Sequence, residues 1–287
     1  MDGGVVGVTM GRDGDGIRRL TSAEELFALA GGDYLLRTDA SPEEALAGQG
    51  MAWYAADGGF AFGGSQDGPG LIDWLTVIGT AESAGRLARH VLGELGGGDG
   101  VDRANGGRAR LPHGISIPRG TDLAAAGVEI AEPEPWDYMV FDPAWGLALE
   151  VQPGEERVEE LLPSPEADAE IGDFLKVANP GHSAKPGWEA IRAWGVVRGA
   201  DGALLACGAY CRRSGGNGYL ASIGTRPEAR GQGLGAAVSA WLTRRSLANG
   251  DGFCSLGHWS PNEAARRIYA RLGYRTTHRM VSGRFVG

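Results

Sequence analysis

The chain has 287 residues, 43% of them hydrophobic and 22% charged, with a formal net charge of −9. That is globular composition, which excludes a mainly disordered chain, and the 50 glycines follow no G-X-Y period, which excludes collagen. The negative balance argues against a nucleic-acid binder, which needs a basic surface, and no apolar run approaches the roughly 18 residues of a membrane span.

The N-terminus, MDGGVVGVTMGRDGDG, lacks the apolar core of a signal peptide. Cys207, Cys211 and Cys254 form no C-x-x-C pair, so neither a disulfide framework nor a metal site is expected. A cytoplasmic protein is the expectation. Charge divides unevenly: residues 1–150 carry 10 Arg against 23 acidic residues, and residues 151–287 carry 17 basic against 13 acidic. An acidic half would attract a cationic ligand and a mildly basic half an anionic one, although solvated faces look the same.

In chain order, Met51–Gly63 predicts a hairpin around Asp57-Gly58-Gly59 and Leu71–Ile78 a strand. Ala81–Leu95 predicts a helix, with Leu87, Val91 and Leu95 four apart. Near 143–165, Pro143, Pro153, Pro163 and Pro165 break regular structure among Glu155, Glu156, Glu159 and Glu160, which predicts an acidic linker, or a short strand and linker, between two halves. Ser164-Pro165-Glu166 starts a helix that Asn179-Pro180-Gly181 stops, and a shorter helix is expected near Pro186. Ala193–Arg198 and Ala203–Cys211 flank Gly199-Ala200-Asp201-Gly202 as a second hairpin. Tyr219–Ile223 is a strand, Ala236–Asn249 a helix and Phe253–Gly257 a strand. Ser260–Leu272 is a helix opened by the capping box Ser260-Pro261-Asn262-Glu263 and closed by Gly273. The order strand, loop, helix thus occurs in both halves. A diverged duplication is expected, with lobes at 1–150 and 151–287.

The most informative stretch joins the 219–223 strand to the helix after it: Arg226-Pro227-Glu228-Ala229-Arg230-Gly231-Gln232-Gly233-Leu234-Gly235. Glycines there uncover backbone N–H groups at a helix N-terminus, and Arg230 adds fixed charge, which together make a nest for a pyrophosphate. A Walker A loop needs Gly-Lys-Ser/Thr, but Ala236-Ala237 follow Gly235. A Rossmann turn would follow its strand directly, whereas seven residues separate Ile223 from Gly231.

Here the sequence resembles the GNAT acyltransferase superfamily. Its Arg/Gln-x-x-Gly-x-Gly/Ala loop is matched by Arg230, Gly233 and Gly235, and its later Asn-x-x-Ala-x-x-x-Tyr-x-x-x-Gly-Phe/Tyr motif by Asn262, Ala265, Tyr269, Gly273 and Tyr274. The match spans roughly residues 164–280, and the faint repeat before it is similar to two-lobed, glycine-acyltransferase-like members. The resemblance implies an α/β (α+β) fold with a mixed, splayed sheet flanked by helices. It implies acetyl-CoA as co-substrate, no metal, and an N-acetyltransferase acting on a primary amine of a small molecule. A non-catalytic acyl-CoA-binding protein is the alternative.

On this resemblance Arg230, Gly231, Gln232, Gly233, Leu234, Gly235 and Ala236 would hold the pyrophosphate. Ile223, Gly224 and Thr225 would pair their backbone with the pantetheine arm. Asn262 would meet the arm, Arg266 a phosphate or only solvent, and Tyr269 would protonate the departing thiolate. The strand 219–223 carries no acid, so the general base is His258, His182 or a water chain. The loop Gly79–Arg86 lacks the glycine spacing and carries Glu82, so the first lobe is expected to have lost its cofactor. The chain is expected to be a monomer or homodimer, with no nucleic-acid or membrane partner.

Overall fold

The computed structural model describes residues 16–40, 50–64, 72–97 and 111–286. Leu71, at the start of an expected strand, lies outside the described residues, as does the N-terminal stretch 1–15.

The chain forms two compact units. They do not divide at residue 150. The first takes residues 1–31, 45–134 and 280–287, and the second takes 32–44 and 135–279. Pairing explains the exchange. The end of β12 (Arg275–Phe285) bonds to β5 (Gly114–Pro118), with Val281 opposite Ile117. The end of β6 (Ile130–Phe141) bonds to β11 (Cys254–Trp259), with Phe141 opposite Cys254. The segment 32–44 is held to the second unit by the Tyr34 hydroxyl donating to Asp142 (2.7 Å) and by His278 Nε2 against Asp33 (2.8 Å).

In the first unit β1 (Ile17–Leu20), β2 (Gly50–Ala55), β3 (Phe60–Gly64) and β4 (Trp74–Ile78) pair antiparallel in turn. β4 then pairs parallel to β5. The parallel step needs a crossover, and α3 (Ala81–Gly97) supplies it, burying Ala84, Leu87, Ala88 and Val91 against Leu75, Val77 and Ile115. One short helix, α1 (Ala23–Ala30), follows β1; the next, α2 (Tyr34–Asp39), lies in the segment that belongs to the second unit.

The second unit repeats this scheme. β7 (Glu159–Leu161), β8 (Ile191–Arg198), β9 (Leu204–Arg212) and β10 (Gly218–Thr225) pair antiparallel, and β10 pairs parallel to β11 across α5 (Leu234–Ala248). α4 (Pro165–Ala178) covers one face through Ile171, Phe174 and Leu175, capped by Ser164 as its sequence dictates. α5 covers the other through Leu234, Val238 and Leu242. Gly195 and Gly208, opposite each other on β8 and β9, let α5 sit close, since a Cβ at Gly208 would lie 2.9 Å from Leu242.

Three local expectations are corrected. The acidic stretch 143–165 contains the short strand that is one of its two readings, β7, which joins the sheet, but the rest is no loose linker: Glu155 is buried and holds Arg244 of α5 (2.7 Å). Residues 185–190 run as turns, so no helix forms at Pro186. α6 (Glu263–Arg271) is capped by Asn262, whose side chain accepts from Ala265 N–H, while Ser260 donates instead to Asp137 (2.7 Å). Among the described residues no helix is long and apolar enough to cross a membrane.

Asp251 anchors the paired end of β10 and β11. It is buried and accepts from the Tyr210 hydroxyl (2.7 Å), the Ser246 hydroxyl (2.7 Å) and Arg212 Nε (3.0 Å). Asp251→Ala would strand two buried hydroxyls and is expected to cost about 3 kcal/mol, read as a lower urea midpoint; an unchanged midpoint would show the network to be dispensable.

Candidate functional site

β10 and β11 pair at Gly218–Cys254, Tyr219–Ser255 and Leu220–Leu256, and there the pairing stops. β10 runs on to Thr225 and β11 to Trp259, each bonded only on its other side. The parting coincides with a bulge in β10. Ser222 holds φ at +53°, a left-handed conformation that a non-glycine residue adopts only when its surroundings impose it. What imposes it is a buried clamp: the Ser222 hydroxyl accepts from Ala184 N–H and donates to the Ala184 carbonyl, both at 2.9 Å.

Beyond the bulge, Arg226 N–H bonds the Leu205 carbonyl of β9. By the two-residue period of a strand, Gly224 shares that direction, whereas Ile223 and Thr225 turn their backbone groups toward the open side. Side chains already find them there: Asn179 Nδ2 donates to the Ile223 carbonyl (3.1 Å) and Arg230 Nε to the Thr225 carbonyl (3.3 Å).

The loop after β10 begins with a turn at Pro227–Ala229 and enters α5 at Leu234. Gly231 and Gly233 both have φ of +79°, and a Cβ on either would meet open space. Among the described residues no acceptor meets the backbone N–H groups of residues 231–235. The helix N-terminus, unsatisfied donors and room above the glycines fit a phosphate group. Gln232 is exposed, and Leu234 is buried as the first anchor of α5.

α6 lies beside the start of α5, with Ile268 near Gly235. Tyr269 faces inward, its ring 6.0 Å from that of His258. Burial pushes the Tyr269 hydroxyl above the ordinary tyrosine pKa, and among the described residues it has no hydrogen-bond partner. His258 is buried. Its Nδ1 lies 3.0 Å from the Trp259 carbonyl, which only accepts, so Nδ1 carries the proton and Nε2 the lone pair in the neutral ring. That Nε2 is buried without a partner among the described residues. His182 instead sits in the 179–184 loop with Nδ1 against the Asn179 carbonyl (2.9 Å).

Two expected ligand residues are otherwise engaged. Asn262 is spent partly on its helix cap, and Arg266 pairs with Glu263 on the exposed face of α6 (3.0 Å). Sequence reasoning missed Ser222 and Asn179. Neither has a local signal, because a bulge and its clamp join residues far apart in sequence.

Residues 169–274 match the model of the acetyltransferase (GNAT) family. Over this region, somewhat more than a third of the chain, the sequence is similar to that family. Solved structures agree on the fold across nearly the whole chain. An X-ray structure of a Drosophila protein superposes with a TM-score of 0.58 at 13% identity, covering 95% of this chain and 99% of that one. A GCN5-related N-acetyltransferase from Sphaerobacter thermophilus gives 0.51 at 16% identity, covering 94% and 95%. A GNAT-family acetyltransferase from Colwellia psychrerythraea gives 0.50 at 16%, covering 94% and 99%. No curated protein sequence matches this one. Over these residues the family match supports acyl transfer from an acyl-CoA donor.

The cysteines lie in the core behind this site, Cys207 with its Sγ 3.9 Å from the Ser222 carbonyl. All three are buried free thiols, and burial raises the pKa of each, to about 11 for Cys254 and about 12 for Cys211. A raised thiol pKa keeps the unreactive neutral form up to that pH. The native protein is therefore expected to resist an aromatic disulfide reagent through pH 9 and to release colour only on unfolding. Rapid labelling of the folded protein at pH 8 would instead show a reachable, reactive thiol.

Proposed function

We propose that the protein is an N-acetyltransferase that moves an acetyl group from acetyl-CoA directly to a primary amine of a small molecule. The observation that carries this reading is the conjunction at one place of a parted strand edge, an open N–H nest and a tyrosine hydroxyl with no protein partner.

The thioester supplies an activated acyl group. Residues 231–235 bind the pyrophosphate through backbone N–H groups, the Ala236 N–H being taken by the Gly233 carbonyl (3.0 Å), with Arg230 turning from the Thr225 carbonyl toward the phosphates. Ile223 and Thr225 offer their backbone groups to the amide-bearing arm, as an edge strand does to a peptide. Their N–H groups also lie where an oxyanion forms, and fixed donors there favour the transition state over the ground state. His258 Nε2 accepts the proton of the attacking amine, directly or through one water. Tyr269 donates a hydrogen bond to the sulfur. Burial keeps the hydroxyl protonated at neutral pH, so its proton is in place as the thiolate leaves; the same burial makes full transfer uphill, and the hydroxyl acts by a hydrogen bond to the sulfur as its charge develops.

Gly233→Glu is expected to abolish acetyl-CoA binding in calorimetry while the variant stays folded by circular dichroism. The carboxylate would stand in the nest, and the positive φ would add only about 1–2 kcal/mol of strain. Retained affinity in a folded variant would remove the nest assignment.

Tyr269→Phe is expected to lower kcat by about 10²–10⁴-fold with little change in the Kd for acetyl-CoA, because the hydroxyl acts chiefly in the transition state. A kcat within twofold of the parent would mean that another group is the acid, and a loss confined to Kd would make Tyr269 a binding residue.

A further inference from the structure

The residues so far assigned leave one face of the parted strands unused. Along β6 and β11, Met139, Phe141, Cys254, Leu256, His258 and Asp137 share the face covered by α5 and α6, and Tyr269 lies on that side. The alternate residues point to the opposite face. Trp136 and Trp259 stand directly opposite each other in register there, as do Tyr138 and Gly257. Tyr219 of β10 turns to the same face.

These aromatic side chains close around Gly257. A Cβ on Gly257 would lie 3.1 Å from the Tyr219 hydroxyl and 3.4 Å from Trp136. Trp136 meets Tyr138 edge-on, with ring centroids 6.4 Å apart. Trp259 forms the lip of this wall and is 58% exposed, a large apolar surface to leave in water. The wall also adjoins the reaction centre. The Tyr219 hydroxyl is near enough to raise the Tyr269 pKa electrostatically, and Trp259 directly follows His258.

We propose that the Trp136–Trp259 face is the acceptor subsite, and that it takes a primary amine carrying a flat aromatic ring. This rests on the acetyltransferase reading above. With the leaving-group acid on one face of the sheet, the opening between β10 and β11 admits the nucleophile from the other. A ring stacked on the exposed Trp259 indole then holds its amine in that opening through a short methylene link. Aromatic stacking is favoured over a polyamine because the exposed part of the wall is the Trp259 indole and the carboxylate behind it is already taken: Asp39 pairs with Arg213 (2.9 Å), which lies over the Tyr219 ring at 5.1 Å, so the distal charge of a polyamine would find that partner occupied.

The test measures thiol release from acetyl-CoA with 2-phenylethylamine, n-hexylamine, spermidine and glycine, alongside the acetyl-CoA Kd from calorimetry. 2-Phenylethylamine is expected to exceed the others by at least tenfold in kcat/KM. Trp259→Ala is expected to raise its KM about tenfold with the acetyl-CoA Kd unchanged, and Trp259→Phe to restore most of the loss. Trp259 is exposed, so the variants are expected to fold. Equal use of n-hexylamine or spermidine, or a Trp259→Ala enzyme with unchanged KM, would overturn the aromatic subsite while leaving acetyl transfer intact. Bound acetyl-CoA without turnover of 2-phenylethylamine would overturn the subsite too. Absence of acetyl-CoA binding in the parent protein would overturn the acetyltransferase reading itself, and the subsite with it.

Discussion

The parting of β10 from β11 after Leu220 and Leu256 is the feature on which the candidate site depends, and it is maintained against an energetic preference. Two adjacent parallel strands would otherwise continue to exchange hydrogen bonds, since unpaired backbone groups are costly once buried. The opposing constraint is the Ser222 clamp. Two 2.9 Å bonds to Ala184 hold a non-glycine residue at positive φ, and the strand that follows is turned away from its neighbour. The strain is local, of the order of 1–3 kcal/mol. In return, Ile223 and Thr225 keep backbone groups turned toward the open side, away from β9.

The rest of the second unit supports that opening from below. The paired ends of the same strands are fixed by Asp251, which gathers Tyr210, Ser246 and Arg212. Gly195 and Gly208 draw α5 close onto β8 and β9, which sets where its N-terminus emerges. A helix end held this firmly presents its N–H groups without further ordering, so little conformational entropy remains to be lost when an anion arrives. Rigid strands and helix surround a loop whose own glycines leave space, a division of labour seen wherever binding groups lie on loops over a scaffold.

The two faces of β11 carry different chemistry because a strand alternates its side chains. Cys254, Leu256 and His258 look toward α5 and α6; Ser255, Gly257 and Trp259 look away. His258 and the exposed Trp259 therefore lie next to each other in the chain without competing for space. The first unit repeats the pairing scheme of the second, yet α3 begins with Thr80 capping Ser83 and with Glu82 in its first turn. Its helix entrance is thus satisfied from within and carries negative charge.

The sequence by itself determined the elements whose signals are local. Period and punctuation located the hairpins, α3, α4, α5 and the strand–loop–helix order, because each depends on residues close in the chain. The glycine loop and the Asn262–Tyr269 spacing were legible for the same reason. Only the tertiary structure decided the rest. It moved the cap of α6 from Ser260 to Asn262, because the Ser260 hydroxyl found Asp137, 123 positions earlier. It drew 143–165 into the sheet through Glu155 and Arg244, and it divided the units by strand exchange rather than at residue 150. It set His258 against Tyr269, placed Ser222 in its clamp and put Trp136 beside Trp259. Each of these joins residues from different elements, and such contacts are set by how sheets pair and helices pack, which no stretch of neighbouring residues encodes.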